Sequence, residues 1–244
     1  MLQKIQINHR EQIDTTTEAD RLKAEIIAHC RQNPFFFLTE YAYTFDVHST
    51  MKVRKFPNWD YLRYITNHWL LNRYFVLASS RQVMKTNWGV GVHLWLANFH
   101  PGQYIAISST DEAKAGWGGV SIKDSGFKGD PESLLSRMLF MHRQLPEWLQ
   151  TPIQTSKEPA QIYFKHQVAG QYIPTTVRAV SSNPHIFNQL TATAVWMDEI
   201  SKVGTAEEAY QSCLPILGDT GRFTATGTAE GKNILYRLCF DVEN

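Results

Sequence analysis

Hydrophobic positions along this chain recur with two different periods. Leu22, Ile26, Ile27 and Cys30 fall at helical spacing, and Thr15-x-x-Glu18 ahead of them reads as a capping box, so the pattern predicts an amphipathic helix to about Gln32. Asn33-Pro34 ends it, because a residue preceding proline is pushed out of the helical region. The following stretch, NPFFFLTEYAYTF, is dense in aromatic rings that must pack against something. A second helix is expected from about Trp59 to Asn72, capped by Asn58, with Tyr61, Leu62, Ile65, Trp69 and Leu70 as its buried stripe. Residues 85–98 are apolar on most faces, as a helix lodged behind a sheet would be. Asp130-Pro131-Glu132 offers an N-cap, a proline at the first helical position and an acid in the first turn, which predicts a helix to about Leu145. Residues 205–214 read as one more helix.

The other period is that of strands. Short apolar runs predict buried strands at Tyr74–Ala78, QYIAISS (103–109), TAVWM (193–197), RFTAT (222–226) and ILYRLCF (234–240). Residues 160–166 and 172–180 read as a hairpin around Gly170. Strands alternating with helices imply an α/β fold with a largely parallel sheet covered on both faces.

Composition narrows this picture. With 244 residues, 43% hydrophobic and 19% charged, the chain suits one α/β domain over 33–244, preceded by a polar arm and helix over 1–32. The net charge of +1 creates no global field for nucleic acid, so any such contact has to come from a local patch. Cys30, Cys213 and Cys239 are scattered with no Cys-x-x-Cys pair, which argues against a zinc knuckle or a disulfide framework and for a reducing compartment. His93 and His100 bracket an apolar segment without metal-ligand spacing and are expected to be structural. Met1–Arg10 is polar, unlike a signal peptide, and no apolar run approaches about 18 residues, so no membrane span is expected. Residues 114–130 form a long glycine-rich loop, functional or simply an insertion.

The candidate chemistry sits at strand ends. Ser79-Ser80-Arg81-Gln82-Val83-Met84-Lys85-Thr86 lies between a predicted strand and a buried helix, where helix N-terminal amides favour phosphate. Lys85 is placed to reach the β- and γ-phosphates of a nucleotide, and the Thr86 hydroxyl to bind Mg²⁺. Both glycines of the usual G-x-x-x-x-G-K-[ST] pattern are replaced, by Ser79 and Met84. Downstream, Val195-Trp196-Met197-Asp198-Glu199 puts two acids at the end of an apolar strand, one for metal and one to orient an attacking water. Thr224-Ala225-Thr226-Gly227-Thr228 closes another strand with small residues that suit close approach to the γ-phosphate. The order of the three segments is that of a RecA-like ATPase with an added catalytic strand, although a Lys-Thr pair, a strand-end Asp and a glycine turn each occur by chance.

These residues resemble one family. SRQVMKT resembles the Walker A loop of the large terminase subunits of tailed bacteriophages, WMDEIS their Walker B segment, TATGT their coupling motif, and LLSRMLFMHRQLPEWLQ a helix that ends in Leu-Pro and an aromatic. NPFFFLTEYAYTFD also resembles their N-terminal region, and the likeness runs in order over 33–240. The resemblance implies a RecA-like (ASCE) P-loop NTPase fold and an ATPase that drives double-stranded DNA into a procapsid, with ATP and Mg²⁺ as cofactors. It implies a ring of copies on the portal protein, a small terminase subunit as partner, a monomer when isolated, and residence in the host cytoplasm, transiently at the portal, not in a membrane or the mature virion. It assigns Arg81 to the γ-phosphate, Lys85 and Thr86 to phosphate and Mg²⁺, Asp198 to metal, Glu199 to the attacking water, and Thr226 and Gly227 to coupling hydrolysis to motion. Where the family carries an adenine-reading glutamine, only Asp60 and Tyr61 stand here. Where many members offer an arginine to the neighbouring subunit, this chain has Asn188, with Arg137, Arg143 and Arg178 as substitutes. The resemblance implies nuclease activity only in a C-terminal domain beyond the coupling motif, which residues 1–244 are expected not to include. A helicase-like P-loop ATPase and a catalytically weak nucleotide-binding assembly module remain alternatives.

Overall fold

The computed structural model describes residues 17–46, 50–118 and 129–240. Helix α1 (Glu18–Gln32) is capped by Thr17, whose side chain accepts the Asp20 amide; Thr15, the expected cap, lies outside the described residues. The Asn-Pro pair does more than end α1. Asn33 Oδ1 accepts the Phe36 amide at 2.9 Å and Pro34 takes the first position of a second helix, α2 (Pro34–Tyr41), so the aromatic stretch is helical as far as Tyr41. An antiparallel ribbon, β1 (Tyr43–Phe45) and β2 (Val53–Lys55), follows. Helix α3 (Asp60–Leu71) starts at Trp59 with no side-chain cap, because the expected cap, Asn58, accepts from Arg63 instead. Leu62, Thr66 and Trp69 form its buried stripe, while Tyr61 and Leu70 are exposed.

The chain continues through β3 (Tyr74–Ser79), α4 (Lys85–Phe99), β4 (Tyr104–Ser108), α5 (Glu112–Ala115), α6 (Leu134–Arg143), β5 (Ile153–Ser156), β6 (Gln161–Val168), β7 (Gln171–Ala179), α7 (Pro184–Phe187), β8 (Ala194–Met197), α8 (Ala206–Leu217), β9 (Arg222–Thr228) and α9 (Ile234–Phe240). Most of the glycine-rich loop, residues 119–128, lies outside the described residues. Asp130-Pro131-Glu132 builds a turn rather than a helix start: Asp130 Oδ1 accepts the Glu132 amide, and Ser133 is the N-cap of α6. The run 234–240 is a helix, not a strand. Asn233 Oδ1 accepts the Tyr236 amide ahead of it, and Ile234 and Leu235 turn inward; a short apolar run permits either structure.

The seven-stranded sheet has the order β3-β9-β8-β4-β7-β6-β5. Its first five strands are mutually parallel, and β6 and β5 add an antiparallel extension. Strand side chains alternate between two cores. Ile105, Ile107, Ala194 and Trp196 face a core shared with α1, α2, α4 and α6; Ala106, Val195 and Met197 face one shared with α7 and α8. Strand β3, expected to be buried, is the sheet edge and is only half-covered.

Helix α4 is embedded almost throughout, as its apolar sequence predicts. A Cβ on Gly89 would stand 2.3 Å from the Trp196 ring, so only glycine lets α4 settle this close to β8. Three buried indoles in this region each donate to a threonine hydroxyl: Trp69 to Thr224 (2.9 Å), Trp88 to Thr66 (2.9 Å) and Trp196 to Thr226 (3.0 Å). Each large ring is thereby buried without an orphaned N–H, whose desolvation would cost about 1–3 kcal/mol.

Candidate functional site

Three adjacent parallel strands, β3, β9 and β8, end at the same sheet edge, where ligands of open α/β sheets bind. Their register puts Ser79 level with Thr228, and Ala225 level with Met197, so Asp198 and Glu199 emerge beside the end of β9. Thr224–Thr228 thus runs between the strand carrying the loop and the strand carrying the acids.

The loop from Ser80 to Met84 connects β3 to α4. Gln82 (φ 60°) and Met84 (φ 62°) are both left-handed, the conformation that glycine supplies without penalty; for each L residue it costs roughly 1–2 kcal/mol. Met84 is the N-cap of α4, and no side chain caps that end, so the first-turn amides keep no side-chain acceptor. The loop is braced from outside: the Tyr61 hydroxyl donates to the Val83 carbonyl at 2.8 Å, and Met84 Sδ accepts from Asn87 Nδ2 at 3.7 Å.

Lys85 is buried, and its ammonium donates to Thr228 Oγ1 at 2.6 Å and pairs with Glu199 Oε1 at 3.0 Å. Lys202 pairs with the other oxygen of Glu199 at 2.9 Å. Burial works to raise the Glu199 pKa, but the hydrogen bonds and charges of Lys202 and Lys85 outweigh it and hold the carboxyl below its ordinary value. Asp198 has the opposite balance. Burial pushes its pKa up, against the hydrogen bonds from the Thr226 hydroxyl (2.7 Å) and the Thr86 hydroxyl (3.1 Å). Thr226 also accepts from Trp196, which fixes its hydroxyl proton on Asp198.

Lys85, Thr86, Glu199, Lys202 and Thr228 help to wall a pocket of about 740 Å³, with Asp198 and Thr226 buried behind them. Its near side is the loop from Arg81 to Thr86, with Glu199 and Thr228; its far side is the β1–β2 ribbon and the turn before α6. A divalent cation at this rim would meet Thr86, with the buried Asp198 hydrogen-bonded directly behind it. So few protein oxygens suit Mg²⁺, which keeps waters and takes phosphate oxygens, and no denser cluster of acids, His and Cys occurs among the described residues.

The other expected residues fall partly inside and partly outside this pocket, Arg81 inside it. The exposed Arg81 pairs with Glu230 at 2.6 Å. Asp60 does not line the pocket; Tyr61 lines a smaller apolar one of about 170 Å³ with Ile65, Leu77, Ser79 and Val83. The small size of Gly227 serves packing: a Cβ there would meet Leu235 at 3.0 Å and Ser201 at 3.2 Å. Asn188 ends α7 and is no part of the pocket, nor are Arg143 and Arg178, whereas Arg137 is. Lys202 was legible in principle, standing three residues after Glu199. Asn87, Trp59 and the ribbon residues Arg54 and Lys55 reach the pocket only through tertiary folding.

Comparison by sequence, with family models and with curated proteins, finds no match. Comparison of folds does. The ATPase domain of the Thermus phage P74-26 large terminase superposes with a TM-score of 0.58 at 15% identity, over 75% of this chain and 69% of that one. The HK97 bacteriophage large terminase superposes with a TM-score of 0.63 at 11% identity, over 86% of this chain and 40% of that one. The large terminase of a thermophilic bacteriophage, solved in complex with ADP, gives 0.53 at 8% identity, over 70% and 39%. The chain has the fold of phage large terminase ATPase domains, which is RecA-like, and matches about two fifths of the length of HK97 large terminase.

Proposed function

We propose that this chain is the ATP-hydrolysing motor domain of a viral DNA-packaging terminase, and that it uses Mg²⁺. The observation that carries this reading is the convergence of Lys85, Thr86, Asp198 and Glu199, from two distant segments, into one hydrogen-bonded cluster under an uncapped helix N-terminus. The neighbour in complex with ADP supports a nucleotide as occupant.

The cluster implies an order of events. Phosphate arriving at the loop competes with Glu199 for the Lys85 ammonium. While two ammoniums hold it, the Glu199 carboxylate is a poor proton acceptor, since its pKa is depressed. Transfer of Lys85 to phosphate relieves half of that hold and frees Oε1 to accept from a water. That water's oxygen forms a bond to the terminal phosphorus as the bond to the bridging oxygen breaks; its proton passes to Glu199, and ADP carries away the electron pair. Bound Mg²⁺ would neutralise charge on the phosphate oxygens. Thr86 and Asp198 would hold it, with Thr226 keeping the carboxylate oriented.

The wider partners belong to the same proposal: double-stranded DNA, a portal protein, a small terminase subunit and a ring of copies. The decisive experiment is ATP turnover by the chain with and without duplex DNA, with Glu199→Ala as control. Turnover that DNA stimulates and the control lacks supports the motor reading. Nucleotide binding with no turnover under any condition would leave an assembly module instead.

A further inference from the structure

Among the cations of the pocket wall, one comes from a helix remote in sequence from both the loop and the strand ends. Arg137 projects from the first turn of α6 and lines the pocket with Lys85, Thr86 and Asn87. It is half-buried, and both of its hydrogen bonds go to neutral oxygens: Nη1 to Asn87 Oδ1 at 2.9 Å and Nε to the Glu132 carbonyl at 3.2 Å. Among the described residues no carboxylate lies within ion-pairing distance of it. A guanidinium has five donors, so most of this fork is unspent. Withdrawing a charge from water without a counter-ion is costly, and burial lowers the Arg137 pKa accordingly, with the more distant Glu132 and Asp198 opposing. Such a group is a standing complement to an anion.

The bonds that hold it also aim it. Asn87 is the third residue of α4, and its amide nitrogen donates to Met84 Sδ, which turns its oxygen to Arg137. The guanidinium is thus tied to the first turn of the helix that Lys85 and Thr86 begin. Resting on the nucleotide reading above, we propose that Arg137 is a catalytic residue acting within its own chain, contacting the terminal phosphate of the nucleotide held by the Ser80–Met84 loop. Asn87 is its positioning residue. The planar fork matches two phosphate oxygens at once, which an ammonium does not.

The test uses the full chain with Mg²⁺ and compares ATP with ADP. Arg137→Ala is expected to keep its melting temperature and its ADP affinity, to weaken ATP binding, and to lose turnover on the order of 10²–10³-fold. Arg137→Lys should recover only a small part, and it decides the matter if the alanine variant fails to fold. Mixing Arg137→Ala with Glu199→Gln should restore nothing, because each chain then lacks one group of its own site. Three results would overturn the proposal: near-normal turnover by Arg137→Ala, equal weakening of ATP and ADP, or turnover regained in the mixture. Failure of the wild-type chain to bind ATP at all would instead remove the nucleotide reading itself.

Discussion

The Lys85 ammonium stands 3.0 Å from Glu199 Oε1, so the cation expected to hold phosphate and the carboxylate expected to orient water are bound to each other. Glu199→Gln therefore has two effects of opposite sign. Turnover should fall by about 10²–10⁴-fold, the usual worth of a positioned base. Nucleotide affinity should rise, because Lys85 no longer has to leave an ion pair. Equilibrium binding and steady-state turnover on the same preparation test both; a weakened affinity contradicts the competition between Glu199 and phosphate.

Met84 provides a second test. Its left-handed backbone costs roughly 1–2 kcal/mol that glycine would not incur, yet its sulfur also orients Asn87. Met84→Gly should bind ATP at least as tightly as the wild type, since the loop shape is then freely available. If titration shows weaker binding, the thioether is a working part of the pocket and strain is the smaller effect.

Asp198 is expected to trade stability for function. Its folded-state pKa is raised, so above its ordinary value of 3.8 the unfolded chain loses the proton first, and stability falls as pH rises towards the folded value. Asp198→Asn has no such charge to bury. Scanning calorimetry should show it melting higher than wild type at neutral pH, with the difference shrinking to nothing as pH drops below that ordinary value. Its Mg²⁺-dependent turnover should be lost.

Acid should destabilise the fold through its buried histidines. Burial lowers His93 and His142 from 6.5 to about 4, and neither ring has partners on both nitrogens. As pH falls through 6.5 the unfolded chain takes up these protons while the folded chain does not. Each histidine then costs stability up to about 3 kcal/mol by pH 4. His142→Phe should flatten the slope of melting temperature against pH in that window; an unchanged slope would mean the ring is not held neutral.

What local sequence rules could reach follows a physical division. Strands β4, β8 and β9 and the buried helix α4 were readable because apolar and β-branched runs, short for the strands and long for the helix, stand between polar flanks. The end of the chain was not. In ILYRLCF the apolar residues satisfy either period, and the deciding feature, Asn233 as a cap, is a single hydrogen bond. Edge position is likewise invisible locally: Tyr74–Ser79 has the composition of an interior strand and lies at the rim. In the site, Lys85, Thr86, Asp198 and Glu199 announced themselves by segment order. Arg137 was only one of three candidate arginines and Asn87 was not among the candidates, because fifty residues of separation vanish only when α4 packs on α6.

The indole of Trp196 has a consequence that is optical. Its N–H is joined through one hydroxyl, that of Thr226, to the carboxylate of Asp198, in an interior that excludes water. The excited state of an indole has a large dipole, and its emission energy shifts with nearby charge. Neutralising Asp198, by a proton or by a cation at the pocket rim, therefore alters the field on a chromophore already built into the sheet. The protein carries its own fluorescent gauge of that carboxylate, and Trp196→Phe is the blank against which its signal is read.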